Sequence, residues 1–280
     1  MICTSKQIYP KLMCLSQFKL CYEVAVKKTR TIAFCNMKGG VGKSSGVVYL
    51  AGALAAAGKK VLVLDLDPQS HATGFLGLKA TEGRTISEVL RGELLVKDVI
   101  VERSKNLWIL PASRALDDTQ QLLIATPGKE MILRDEMADV TGFDFILVDT
   151  PPSLNLLLYN VLVYVKEVVL TIQTEAAALE GVPAFYSLIK KIKVPRLNQD
   201  IDVTGVLCTM CDSRTNLHRD VVDEIRGALK SKVFDTVIPR SVVFAEAASH
   251  GKLISEYAPK SSQAAIYDSL AKEVQKGGQR

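Results

Sequence analysis

The chain has 280 residues, with 35 lysines and arginines against 30 acids, and 48% of it is hydrophobic. This balance excludes a disordered tail protein, a collagen and a disulfide-stapled miniprotein, and the length can bury a core without metals or cross-links. The net charge of +5 is uneven: residues 1–30 hold six bases and one acid, residues 31–189 fourteen and eighteen, and residues 190–280 fifteen and eleven. An acidic partner must therefore be met by a local patch. The six scattered cysteines predict a reducing, cytoplasmic setting, and no apolar run approaches the roughly 20 residues that cross a bilayer.

In chain order, residues 1–30 lack a clear period and end in Lys27, Lys28 and Arg30, which predicts a basic extension ahead of a domain spanning 31–280. From Thr31, short apolar runs alternate with helical patterns, the sign of βαβ units and a mostly parallel, twisted α/β sheet with helices on both faces. Strands are expected at 31–36, 61–65, 107–110, 143–148, 168–172, 203–209 and 237–239. Helices are expected at 44–57, where an alanine-rich run meets Gly58, and at 215–230 and 262–276.

Between the first strand and the first helix lies Lys38-Gly39-Gly40-Val41-Gly42-Lys43-Ser44-Ser45. Glycines let backbone N–H groups turn toward phosphate oxygens, Lys43 can reach the β and γ phosphates, and the Ser44 hydroxyl can ligate Mg2+. The strict pattern G-x-x-x-x-G-K-[ST] fails at its first position, where Met37 stands, and an additional Lys38 is present. Two further apolar runs end in acids: 61–64 leads into Asp65-Leu66-Asp67-Pro68-Gln69, and 145–148 into Asp149-Thr150-Pro151-Pro152. Acids at strand carboxyl ends suit Mg2+ and the orientation of an attacking water. All these motifs follow strand carboxyl ends, the edge at which open α/β sheets bind ligands.

The loop resembles the deviant Walker A loop of the ParA/MinD superfamily of P-loop NTPases, 61–69 its Walker A′ motif and 145–153 its Walker B. The resemblance to the Soj-like branch of ParA extends to about Val274 through Asp212-Ser213-Arg214-Thr215-Asn216-Leu217, Val237-Ile238-Pro239-Arg240-Ser241 and the segment 246–252. It implies ATP and Mg2+ as cofactors and a homodimer that sandwiches ATP, with Lys38 reaching the partner's phosphates. Lys38, Lys43 and Asp67 would be catalytic, with Asp67 positioning the water. Ser44, Asp67 and Asp149 would act on the metal, partly through water, while Met210 and Pro239 would contact the base.

It further implies non-specific DNA binding, a ParB-like centromere-binding partner that stimulates hydrolysis, and a nucleoid-associated protein without stable membrane association. Arg214, Arg219, Lys230, Lys232, Arg240 and Lys252 are the candidate DNA patch within the basic final third. The chain departs from the family pattern at Ser45-Gly46 and Ser70-His71, which puts the hydrolysis rate in question. Two rival readings remain, a MinD-like membrane-positioning ATPase and an iron–sulfur carrier ATPase using Cys208-x-x-Cys211; the glycine-broken C-terminus and the position of Cys208 inside a strand weigh against them.

Overall fold

The computed structural model describes residues 28–194, 197–212 and 214–277. Eight strands form one sheet: β1 (Arg30–Cys35), β2 (Val61–Asp65), β3 (Val101–Ser104), β4 (Leu107–Leu110), β5 (Phe145–Asp149), β6 (Glu167–Gln173), β7 (Asp202–Cys211) and β8 (Val233–Pro239). Their order is β3-β4-β2-β5-β1-β6-β7-β8, parallel throughout except for β3, which runs antiparallel to β4. The chain leaves β1 toward one half of the sheet and returns after β5 to the other, so β1 sits at the topological switch point.

Seven helices of at least eight residues occur among the described residues: α1 (Lys43–Ala56), α2 (Ala115–Leu123), α3 (Leu156–Tyr164), α4 (Val182–Ile192), α5 (Asn216–Leu229), α6 (Val242–Ser249) and α7 (Ser262–Gly277). Alternate residues of each central strand feed two cores, as the strand period of two requires. Ala33, Leu62, Leu64 and Ile146 pack beneath α3, α4 and α5, while Ile32, Phe34, Val63 and Leu147 pack beneath α1 and α7. Gly46 lets α1 lie directly on the Phe34 ring.

The expected bounds for β2 and β4 match the structure, and the other expected strands shift by one to four residues. β3 was not foreseen, because Val-Glu-Arg-Ser is a half-exposed edge strand without apolar alternation. The boundary at residue 30 also needs correction. Thr29 Oγ1 donates to the Phe143 carbonyl at 2.7 Å, and Arg30 opens β1, grips Glu167 at 2.7 and 2.6 Å and lies over the Phe145 ring. The remainder of the expected extension, residues 1–27, lies outside the described residues.

Two backbone segments meet without intervening side chains at Gly77 and Gly251, both in the left-handed region. A Cβ on Gly77 would stand 2.5 Å from the Gly251 carbonyl oxygen, and one on Gly251 would overlap the Gly77 Cα. The contact joins the end of the short helix His71–Phe75 to the turn after α6. Arg103 fastens the same junction, donating to the Leu76 carbonyl and, at 2.9 Å, to Glu256.

Candidate nucleotide site

The loop between β1 and α1 is held from outside. Asn36 Nδ2 donates to the Thr171 carbonyl at 2.6 Å, Asn36 Oδ1 accepts from the Lys38 N–H at 2.8 Å, and Thr209 Oγ1 donates to the Val41 carbonyl at 2.9 Å. Gly42, left-handed at φ 86°, provides no side-chain cap for α1, so the first N–H groups of that helix stay free for a ligand. The loop borders a cavity of about 660 Å³, within the usual range for a small-molecule site.

Gly39, Gly40, Gly42, Lys43, Ser44, Ser45 and Asp67 line this cavity, together with Met210, Pro239, Phe244 and Tyr267. The last two belong to an aromatic cluster. The Tyr49 hydroxyl donates to the Phe244 carbonyl at 2.7 Å, and the Phe244 ring packs on Tyr49 and edge-on to Tyr267, which ties α6 to α1 and α7. Met210 and Pro239, the expected base contacts, both line this cavity, Met210 with the uncommon positive φ of 54°. The structure adds His71, Phe75, Thr209, Phe244 and Tyr267 to the lining; His71 stands at the Ser70-His71 departure seen in the sequence, and the others are brought in by the fold.

Lys43 is buried beneath the loop, its Nζ 3.4 Å from the Lys38 carbonyl. Burial lowers its pKa, opposed by the nearby charges of Asp149 and Asp67. Asp67, also buried, accepts the Gln69 N–H at 3.0 Å on Oδ1.

Asp65 is a brace. It accepts the Thr73 N–H and hydroxyl at 2.8 and 2.7 Å and the Asp67 N–H at 3.2 Å, which fixes the segment carrying Asp67. Burial pushes its carboxyl up to about 6, against those hydrogen bonds. Asp149 is fully buried, with neither carboxylate oxygen hydrogen-bonded within the described residues. Burial, and then the Asp65 charge, push its carboxyl well above the usual range; the Ser44 hydroxyl approaches closely enough to offset part of this without completing a hydrogen bond. An orphaned buried carboxylate beside a serine hydroxyl, below a loop built for anions, is a donor set that fits a hydrated divalent cation.

Gly42 lines the nucleotide cavity; Val41 does not, and neither does Lys38, although its carbonyl lies 3.4 Å from Lys43 Nζ. Lys38 borders a second cavity, of about 490 Å³, on the other side of the loop, and its ammonium pairs with Glu175. Glu175 was not foreseen, since one acid in an alanine-rich stretch carries no signal by itself.

The six expected DNA-binding bases do not form one patch. Arg240 lines the nucleotide cavity, its N–H bonded to the Cys211 carbonyl at 2.9 Å. Arg214 follows the carboxyl end of β7, whereas Lys230 and Lys232 precede β8 at the amino edge, separated from it by the 14 residues of α5, about 21 Å at helical rise. Lys232 is further engaged with Asp202 at 3.3 Å and the Tyr186 ring. Arg214 is bidentate to Asp212 at 2.8 and 2.6 Å yet stays largely exposed, as do Arg219 and Lys252.

The chain matches a family model described as an AAA domain over residues 29–203. It is 40% identical to the sporulation initiation inhibitor protein Soj of Bacillus subtilis, covering 89% of this chain and 99% of that protein. It is 42% identical to the chromosome-partitioning ATPase Soj of Thermus thermophilus, covering 88% and 96%. The chain belongs to the ParA/Soj family of chromosome-partitioning ATPases.

Among solved structures, cobyrinic acid a,c-diamide synthase from Mycobacterium smegmatis, with a bound ATP analogue and magnesium, is 30% identical with a TM-score of 0.78, covering 90% of this chain and 96% of that one. A putative plasmid partition protein from Borrelia burgdorferi bound to AMPPNP, 20% identical with a TM-score of 0.76 over 89% and 99%, shares the fold.

Cys208 is buried in β7, where desolvation pushes its thiol up to about 11, and no cluster of potential metal ligands occurs among the described residues. No helix among them is long and apolar enough to cross a membrane.

Proposed function

We propose that the protein binds ATP with Mg2+, closes into a homodimer around the nucleotide, binds DNA without sequence preference in that form, and is reset by hydrolysis that a ParB-like partner stimulates. The observation that carries this reading is the division of labour between two loop lysines. Lys43 is buried at the nucleotide cavity, while Lys38 is directed to the far side of the loop and into a second cavity. A lysine so placed is of little use to the phosphates of its own chain and is available to those of a second copy.

Bound Mg2+ would draw charge from the β and γ phosphates, with Ser44 and Asp149 holding it and its water shell. Lys43 neutralises the phosphate oxygens, the loop N–H groups orient them, and Asp67, braced through Asp65 and Thr73, orients the attacking water. The base is taken between Met210, Pro239 and Phe244.

The rival readings lose support. The apolar face of α7, with Tyr267, Leu270 and Val274, packs into the core, and Cys208 is buried in β7, so neither feature supports a membrane or cluster role. The deciding experiment is light scattering after chromatography with ATP and Mg2+. A dimer in the Asp67→Ala variant, lost when Lys38→Ala is added, is the expected result; a monomer in both refutes the sandwich.

A further inference from the structure

A chain of hydrogen bonds runs from outside the nucleotide cavity to the phosphate loop. His218 lies in the first turn of α5, half buried, and does not line the cavity. Its Nδ1 is 2.7 Å from Thr174 Oγ1. Thr174, fully buried, is in turn hooked onto the Thr209 carbonyl by its N–H at 3.1 Å and its hydroxyl at 3.3 Å. Thr209 Oγ1 then reaches the Val41 carbonyl in the loop at 2.9 Å and the Ile172 carbonyl at 3.3 Å.

Proton counting gives the chain a direction. Each threonine hydroxyl has one proton, so Thr174 Oγ1 can donate to the Thr209 carbonyl and still bond His218 only when His218 Nδ1–H donates to it, and Thr209 Oγ1 gives its one proton to the nearer Val41 carbonyl. The anchored carbonyl matters because a trans peptide points its C=O and its N–H in opposite directions. Fixing the Val41 carbonyl therefore fixes the aim of the Gly42 N–H, at the residue that enters α1 beside Lys43.

We infer that His218 is a positioning residue for the phosphate loop, acting through Thr174 and Thr209. The inference rests on the nucleotide-binding reading and not on hydrolysis or dimerisation.

The test is equilibrium binding of fluorescent N-methylanthraniloyl-ADP with Mg2+ to the full chain. His218→Ala should weaken binding by about threefold to tenfold, the span of one net hydrogen bond. His218→Asn, whose amide can occupy the Nδ1 position, should restore affinity to within about twofold. The double variant His218→Ala/Thr174→Val should bind no more weakly than Thr174→Val alone, since both remove the same relay. Parental affinity in His218→Ala, no rescue by asparagine, or additive losses would each overturn the inference. Should His218→Ala fail to fold, Thr174→Val is compared with Thr174→Ser: loss in valine with retention in serine supports the relay, and equal affinity overturns it. A parent chain that binds no nucleotide refutes the site itself, an outcome distinct from a parent that binds and a His218 variant that binds equally well.

Discussion

Asp65 and Asp149 are paired in register at the carboxyl ends of the adjacent strands β2 and β5, yet Asp65 accepts three hydrogen bonds and Asp149 none among the described residues. One carboxylate holds the fold and its neighbour is left for a ligand. The fold-holding cost falls on Asp149, whose raised pKa means that its ionised form destabilises the folded chain.

Asp149→Asn should therefore stabilise the protein in EDTA at pH 7.5 by removing the penalty that burial places on the ionised carboxylate. The gain should vanish below about pH 4, where folded and unfolded carboxyls are both protonated, and with it any stabilisation by added Mg2+ should be lost. Thermal melts across pH, with and without Mg2+, check this; a lower melting temperature for the variant in EDTA at pH 7.5 would contradict it.

Lys43→Ala should abolish nucleotide binding, since this lysine is buried at the phosphate loop, and the other cation lining the cavity, Arg240, stands beyond β8 rather than in the loop. Asp67→Ala should bind nucleotide normally and hydrolyse at least about a hundredfold more slowly, the lower range for loss of a positioned acid–base group. Parental turnover by Asp67→Ala would remove the water-orienting role from that residue.

The Lys38–Glu175 pair has to be given up if Lys38 is to reach a second subunit. Glu175→Gln should then lower the protein concentration needed for ATP-dependent dimerisation by up to about 25-fold, since each dimer gives up two exposed ion pairs at a ceiling of about fivefold each. Sedimentation equilibrium reads this directly, and a weaker dimer would instead make Glu175 a contact within the interface.

Deleting residues 1–27 should leave folding and salt-dependent DNA retention intact, whereas a deletion that also takes Thr29 and Arg30 should lower the melting temperature by removing the Glu167 and Phe143 contacts. Arg214→Glu should weaken DNA retention and flatten its salt dependence while sparing nucleotide binding. Loss of all retention in the shorter deletion would assign DNA binding to the extension.

The loop and the two acids, Asp67 and Asp149, were legible as positions because each is a local pattern: an apolar run, then glycines, lysine or acid, all at one sheet edge. Met210 and Pro239 came from the family resemblance, and both line the same cavity. Phe244 and Tyr267 could not be placed, because neighbours on α6 and α7 converge on the cavity only after both helices pack on α1. The basic patch failed for a related reason. Sequence proximity put Lys230 and Lys232 with Arg214, but a helix between them carries the chain across the whole sheet. The domain boundary missed Arg30 because a base at the end of a basic run looks like its neighbours until its carboxylate partner, 137 residues away, is known.

Gly251→Ala should cost upward of about 1 kcal/mol from strain at positive φ together with overlap with Gly77, and should loosen nucleotide binding by shifting α6. Denaturation midpoints and nucleotide affinity measured on the same preparation check both effects.

Most contacts between elements are cushioned, because a side chain can change rotamer and absorb a small displacement. At Gly77 and Gly251 there is no rotamer to change. Any movement of His71–Phe75, the segment just beyond Asp67, would pass undamped to the turn after α6, so two walls of one cavity are tied into a single mechanical part.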